Sequence, residues 1–318
     1  MDEADRQLFA DSLRRATEAH SGEALDGALQ ELGWQDALSS DPREAIGDLF
    51  ELQGAANATS SALDWVVLSA LGVLGTTAGS VVMPQVGAAD APGGFDGGQL
   101  IVHGIGTAAF ARGERACVVI ATPDGDRAVF VATGDLELRP VQGIDPSLGL
   151  MEVSGRLTVP HGEAVPVDWG GAVVLARLAL AHELVGAARR MLALAREHAL
   201  DRIQFGRPIS TFQAVRHRLA EALVAIEAAD AVLDGAWAAT SPQSAVMAKA
   251  VAGRAARTAA RHSQQVLAGI GFTTEHAFHR YFRRTIVLDQ LFGASRTLTR
   301  QLGEEILRSR QLPPLQPL

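Results

Sequence analysis

The chain has 318 residues, 47% hydrophobic and 20% charged, with a formal net charge of -8. That is length for two or three domains or one large one, and the balance of an ordinary soluble globular protein, not a disordered one. The acidic charge excludes a general electrostatic grip on nucleic acid or on an anionic membrane, and Cys117, the sole cysteine, excludes an intrachain disulfide and a thiolate metal site.

Aromatic residues are sparse, at 5%. Ala and Leu therefore carry most of the packing, which favours close-set helices over an aromatic β core. Lys249 is the only lysine among 28 basic residues. The first turns are acidic and amphipathic, without the apolar run of a signal peptide. Ala62 to Leu74, read as the most apolar stretch, is too short and too interrupted to span a bilayer. The expectation is a cytoplasmic protein with no membrane span.

Three zones follow one another. Residues 1–84 read as helical: Leu8, Leu13 and the apolar residues from Leu25 to Leu32 fit a 3.6 period, Ser40–Asp41–Pro42 is a helix start, and a further helix runs from Leu63 to Leu74. Residues 85–165 change period. Leu100–Val102, Cys117–Ile120 and Val129–Val131 are short β-rich runs, and Pro123–Asp126 between the last two signals a hairpin. A small antiparallel sheet or partial barrel is predicted. Residues 166–318 return to long helices: Ala172–Leu200, Gln213–Thr240, Ser244–Leu267, Glu275–Leu291 and Thr297–Arg308, punctuated at Ser241–Pro242 and Gly269–Gly271. The Pro-rich end, Leu312 to Leu318, is expected to fray. The fold class is α+β, mainly α: a helical amino-terminal domain, a reduced β middle domain and a carboxy-terminal helical bundle.

Two segments carry a chemical signal. Arg202–Ile203–Gln204–Phe205–Gly206–Arg207–Pro208–Ile209, followed by Phe212–Gln213, sets an Arg, a Gln and an aromatic side by side between two long helices. An Arg beside a helix start can hold a pyrophosphate, and Phe205 offers a flat face to a ring. Read alone, the segment is more simply an inter-helix turn with Arg202 in solvent. Gln265–Val266–Leu267–Ala268–Gly269–Ile270–Gly271–Phe272 ends a helix with small residues that let a ligand or a backbone approach. Read alone, it is a glycine helix stop.

Taken together, the two segments resemble the carboxy-terminal domain of the acyl-CoA dehydrogenase family. The likeness continues through Glu275, Arg280 and Arg283 to Gly293, and the helix–sheet–helix order matches over essentially the whole chain. The resemblance implies that Arg202, Gln204, Phe205, Gln213, Gln265 and Gly269 touch an FAD held by a neighbouring subunit. One departure is visible: the family usually has two glycines where this chain has Ala268–Gly269.

The resemblance also shows what is missing. Acyl-CoA dehydrogenases need a carboxylate to take a proton from the α carbon of the thioester. Matched to the family, Phe292 stands where most members carry that Glu, and Ala176 where a minority carry it. The middle domain lacks the Thr-Glu-Pro-Gly-Ser-Asp-like loop and the Trp-Ile-Ser/Thr strand of members that hold their own flavin. The chain therefore resembles the non-catalytic subunits of actinobacterial α2β2 acyl-CoA dehydrogenases that act on steroid side-chain CoA thioesters. That implies a Glu-bearing partner subunit, a shared FAD and an electron-transfer flavoprotein as acceptor. Two alternatives stand beside it: a self-sufficient enzyme with Glu183 as a relocated base, and a flavin-free scaffold of the same fold.

Other residues have plainer readings. His182–Glu183 reads as a buried polar pair or a surface contact, and Asp289 points to a different helix face from Phe292. His276 and His279, beside Glu275, stand at a spacing of three that could share a helix face, yet no third ligand is apparent in sequence, and they read as interface or solvent-facing residues. Arg254, Arg257 and Arg261 read as an inter-helix ion-pair face. His103–Thr107 is a glycine motif without the strand-to-helix setting of a dinucleotide fold.

Overall fold

The structure, a computed structural model, describes residues 3–75, 78–158 and 164–311. The expected fraying of Leu312 to Leu318 lies outside the described residues.

Five helices open the chain: α1 (Glu3–Ala19), α2 (Glu23–Glu31), α3 (Trp34–Ser40), α4 (Pro42–Ala56) and α5 (Ala62–Ala70). The Ser40–Asp41–Pro42 signal is a true helix start. Pro42 supplies a preset φ at the first helical position, and the Asp41 carboxylate accepts from the Glu44 N–H at 3.2 Å. The last helix of the zone stops at Ala70, four residues short of the predicted Leu74.

The sheet then begins at Ser80, inside the stretch read as helical. Its strands are β1 (Ser80–Val81), β2 (Gly93–Asp96), β3 (Gln99–Gly106), β4 (Arg115–Thr122), β5 (Gly125–Ala132), β6 (Glu137–Pro140), β7 (Met151–Leu157) and β8 (Val165–Pro166). They form one sheet in the order β6-β7-β3-β2-β4-β5-β8, with β1 paired to β4. The sheet is mixed rather than antiparallel, because β4 pairs parallel with both β1 and β2. β4 and β5 form the predicted hairpin, with Thr122 opposite Gly125. Period-two alternation divides β4 between two cores: Cys117 and Val119 face the helices, whereas Ala116, Val118 and Ile120 join Val102 and Val153 on the other side.

Gly104 and Gly106 of β3 serve packing. A Cβ on Gly104 would collide with the Met83 carbonyl, and one on Gly106 with the Phe110 ring. A strand does lead into a short 3-10 turn here, Ala108–Ala111, capped by Thr107, yet the space beside both glycines is filled by protein.

The last zone holds α6 (Trp169–Asp201), α7 (Gln213–Ala238), α8 (Pro242–Leu267), α9 (Phe278–Gln290) and α10 (Ser295–Ser309). Ser241 and Ser244 cap α8 reciprocally, with Pro242 in its first turn. α6 is long and apolar enough to cross a membrane, unlike the stretch singled out in the sequence, but 78% of its most apolar window is buried inside the protein. It is the central core helix, packed on α4, α5, α7, α8 and α9.

Candidate functional site

A hairpin joins α6 to α7. Strand β9 (Ile203–Gln204) pairs antiparallel with β10 (Arg207–Pro208), and the Ile209 N–H closes it on the Arg202 carbonyl at 2.8 Å. The two-residue turn, Phe205–Gly206, has φ of 53° and 76°, the positive pair of a I′-type hairpin. Gly206 takes this conformation freely, whereas Phe205 is held in a region that bulky side chains avoid. Its ring is 91% exposed and meets Phe212 edge-on at 6.1 Å. The Arg207 guanidinium covers Phe212 at 4.5 Å.

A cleft of about 360 Å³ runs beside this tip, lined by Gln204, Phe205, Phe212, Arg218 and Gln265 among others. The structure thus brings three of the six sequence-predicted residues together from two separate segments. Arg202, Gln213 and Gly269 do not line the cleft, although all three are solvent-exposed: Arg202 ends α6, Gln213 opens α7 and Gly269 lies in the turn after α8. Arg218 is a lining residue that the sequence reading missed. It stands one and a half turns into α7, and no spacing marks it out.

The two positions matched to a catalytic base are both buried in the core. Ala176 is fully enclosed on α6, and Phe292 is packed against Trp169 with ring centroids 6.2 Å apart. Four carbonyls at the end of α9, those of Leu288, Asp289, Gln290 and Phe292, accept from this chain's own donors. Lys249 Nζ donates to the carbonyls of Leu288 and Asp289, both at 3.0 Å. Arg177 Nε donates to that of Phe292 at 3.0 Å, and the Gly87 N–H to that of Gln290 at 3.0 Å. Trp169 Nε1 in turn donates to the Ala89 carbonyl at 3.0 Å. The short segment between β1 and β2 is thereby strapped across the end of α9. Burial holds the Lys249 amine down to about 8.

Glu183, the alternative base, is fully buried, and burial pushes its carboxyl up to about 7 against the pull of Arg284. Arg284 lies 3.6 Å from it and also binds Asp145 at 2.8 Å, the Ala58 carbonyl at 2.6 Å and Thr59 Oγ1 at 2.9 Å. Glu183 is part of a core tie between α4, α6, α9 and the loop before β7, and lines none of the clefts described. His182 accepts from Trp237 Nε1 at 3.0 Å, and burial lowers its imidazole to about 4.

The remaining residues serve local structure. His276 Nδ1 accepts from the Phe278 N–H, and His279 contacts the His276 carbonyl, which organises the start of α9. Among the described residues no His/Cys/Asp/Glu group could hold a metal ion. Of the arginine stripe on α8, Arg257 makes an inter-helix ion pair, with Asp289 at 2.7 Å, whereas Arg261 turns to its neighbour His262. Asp289 also accepts from the Ser295 N–H at 3.2 Å, fixing the start of α10 rather than facing Phe292.

Comparison with known proteins agrees with this architecture. The family model for the acyl-CoA dehydrogenase carboxy-terminal domain matches residues 171–307. The chain is 31% identical to the acyl-CoA dehydrogenase IpdE2 of Mycolicibacterium smegmatis, over 95% of this chain and 99% of that protein. It is 38% identical to IpdE2 of Mycobacterium tuberculosis, over 62% of this chain and 59% of that one. Among solved structures, the ChsE4-ChsE5 complex of Mycobacterium tuberculosis superposes with a TM-score of 0.79 at 20% identity, covering 99% of both chains. A variant of the Tcur3481-Tcur3483 steroid ACAD superposes with a TM-score of 0.73 at 22% identity, covering 96% of both. A carboxy-terminal domain match, a near full-length relative and a shared fold together establish that the chain belongs to the acyl-CoA dehydrogenase family.

Proposed function

We propose that this chain is the non-catalytic subunit of a cytoplasmic, heteromeric, FAD-dependent acyl-CoA dehydrogenase, and that it completes the flavin site of a Glu-bearing partner in an α2β2 assembly. The observation that carries this reading is a contrast in burial. Phe292 and Ala176 are sealed in the core, while Phe205 stands 91% exposed in a strained turn, with an edge-on contact to Phe212 in its own chain.

The donor set at the hairpin suits one edge of a flavin dinucleotide shared with another chain. FAD, when bound, accepts the hydride that leaves the substrate β carbon. In this chain Phe205 offers a ring face, Gln204 and Gln265 offer amide donors and acceptors, and Arg202 offers a guanidinium for phosphate oxygens. Gln213 and Gly269 lie at the helix ends that frame these groups. The chain contributes binding and orientation, and the partner contributes the base. Names of the structural neighbours support the finer reading: one is a two-component complex and another a steroid enzyme. The substrate is accordingly a steroid side-chain CoA thioester held mainly by the partner, with an electron-transfer flavoprotein as acceptor.

Co-expression with a Glu-bearing sister subunit tests this. The complex should be yellow and active, and Arg202→Ala should weaken FAD retention without dissociating the subunits. Oxidation of acyl-CoA thioesters by the purified single chain would overturn the reading. The self-sufficient alternative is disfavoured by the enclosure of Glu183 against Arg284.

A further inference from the structure

The hairpin between α6 and α7 keeps an aromatic ring where a tight turn favours a small residue. Phe205 and Gly206 both have positive φ, 53° and 76°, and two-residue turns of this kind favour Asn, Asp or Gly at their first position. The Phe205 ring is 91% exposed, so burial does not explain its presence there. An exposed phenylalanine turns freely among staggered rotamers, each aiming the ring in a different direction. A ring that serves as a contact needs a neighbour that selects one of them.

Phe212 is that neighbour. It meets Phe205 at 6.1 Å with the ring planes 81° apart, an edge-to-face pair. The backbone of Phe212 is fixed by the turn before α7: its N–H donates to the Ile209 carbonyl at 3.1 Å, and Thr211 Oγ1 donates to the Pro208 carbonyl at 2.7 Å. Its ring is held by Arg207, whose guanidinium carbon lies 4.5 Å from the ring centroid. A planar guanidinium stacks on an aromatic face better than an ammonium does. Arg207 stands opposite Gln204 in the hairpin ladder, so this contact also ties the hairpin to the start of α7.

We propose that Arg207 is a positioning residue for the flavin site: by clamping Phe212 it fixes the Phe205 ring in the direction that meets the shared cofactor. The inference deepens the flavin reading above and rests on it. Its action runs from Arg207 through Phe212 to Phe205, and requires no contact between Arg207 and the cofactor. A cation held over an exposed ring is worth about a factor of two to five in an equilibrium constant, which sets the size of the effect.

FAD dissociation from the co-expressed complex tests it, together with hydrogen exchange at the Ile209 N–H, which closes the hairpin on Arg202. Arg207→Ala and Phe212→Leu should each raise the FAD dissociation constant about two- to fivefold. The double variant should go no further than the larger single change, since both remove the same clamp. In a Phe212→Tyr background, which keeps the ring, Arg207→Ala should again weaken FAD. Arg207→Ala should also speed exchange at Ile209. An undiminished effect of Arg207→Ala in the Phe212→Leu background would make Arg207 a direct cofactor ligand and overturn the proposal. Unchanged exchange at Ile209, or loss of FAD with Phe205→Ala but not with Arg207→Ala, would overturn it too. FAD retention unaffected by Phe205→Ala would instead sink the flavin reading, and this proposal with it.

Discussion

The indole of Trp169 lies 6.2 Å from the phenyl ring of Phe292, tilted by 36°. The pair fills the ground that the family resemblance reserves for a proton acceptor. The Gly87–Ala89 strap hydrogen-bonds to Gln290 on one side of it and to Trp169 on the other. Replacing one residue therefore cannot restore a base. Phe292→Glu should remain without dehydrogenase activity and should lose roughly 2–5 kcal/mol of stability, because a carboxylate would be buried among apolar groups. Thermal unfolding and an artificial-acceptor assay with acyl-CoA thioesters measure both.

Asp64 links the helical layer to the sheet. Its carboxylate accepts from the Val81 N–H at 3.0 Å and from Thr107 Oγ1 at 2.5 Å. Burial pushes the carboxyl up to about 7 from its ordinary 3.8. The folded state thus keeps a proton that the unfolded chain releases, so this group's stabilisation is full below the ordinary carboxylate range and is lost as pH rises through about 7. Asp64→Asn, which stays neutral, should flatten the decline in melting temperature between pH 5 and 8 relative to the parent, as read by buffered thermal scans about a pH unit apart.

Ala268 sits at φ 53° and ψ -134°, a region that is nearly glycine's own. Ala268→Gly should therefore stabilise the chain by about 1 kcal/mol despite the entropy glycine adds to the unfolded state. Chemical denaturation with an unchanged slope is the expected result.

Lys249 is the sole lysine, fully buried and bonded to two carbonyls at the end of α9. An amine-acylating reagent should leave it unmodified in the folded protein and modify it after denaturation, as read by peptide mass spectrometry. Lys249→Met should cost roughly 2–4 kcal/mol, since two buried carbonyls lose their donor.

Much of this protein could be read from local pattern. Periodicity located the long helices, because one buried stripe on α7 or α8 repeats every three to four residues whatever it packs against. Pro123–Asp126 marked the β4–β5 turn, since backbone conformation at a tight turn is set by the residues in it. The absence of an acid at Phe292 and Ala176 was also a matter of residue type alone. Tertiary structure decided what no neighbour in sequence could. It placed Gln204 and Phe205 beside Gln265 from another helix, drew in Arg218, enclosed Glu183 against Arg284, and strapped Gly87–Ala89 over α9. Parallel pairing of β4 with β1 and β2 was hidden for the same reason. Such contacts depend on surfaces meeting across long stretches of chain, and propensity and spacing report only on the chain's own path.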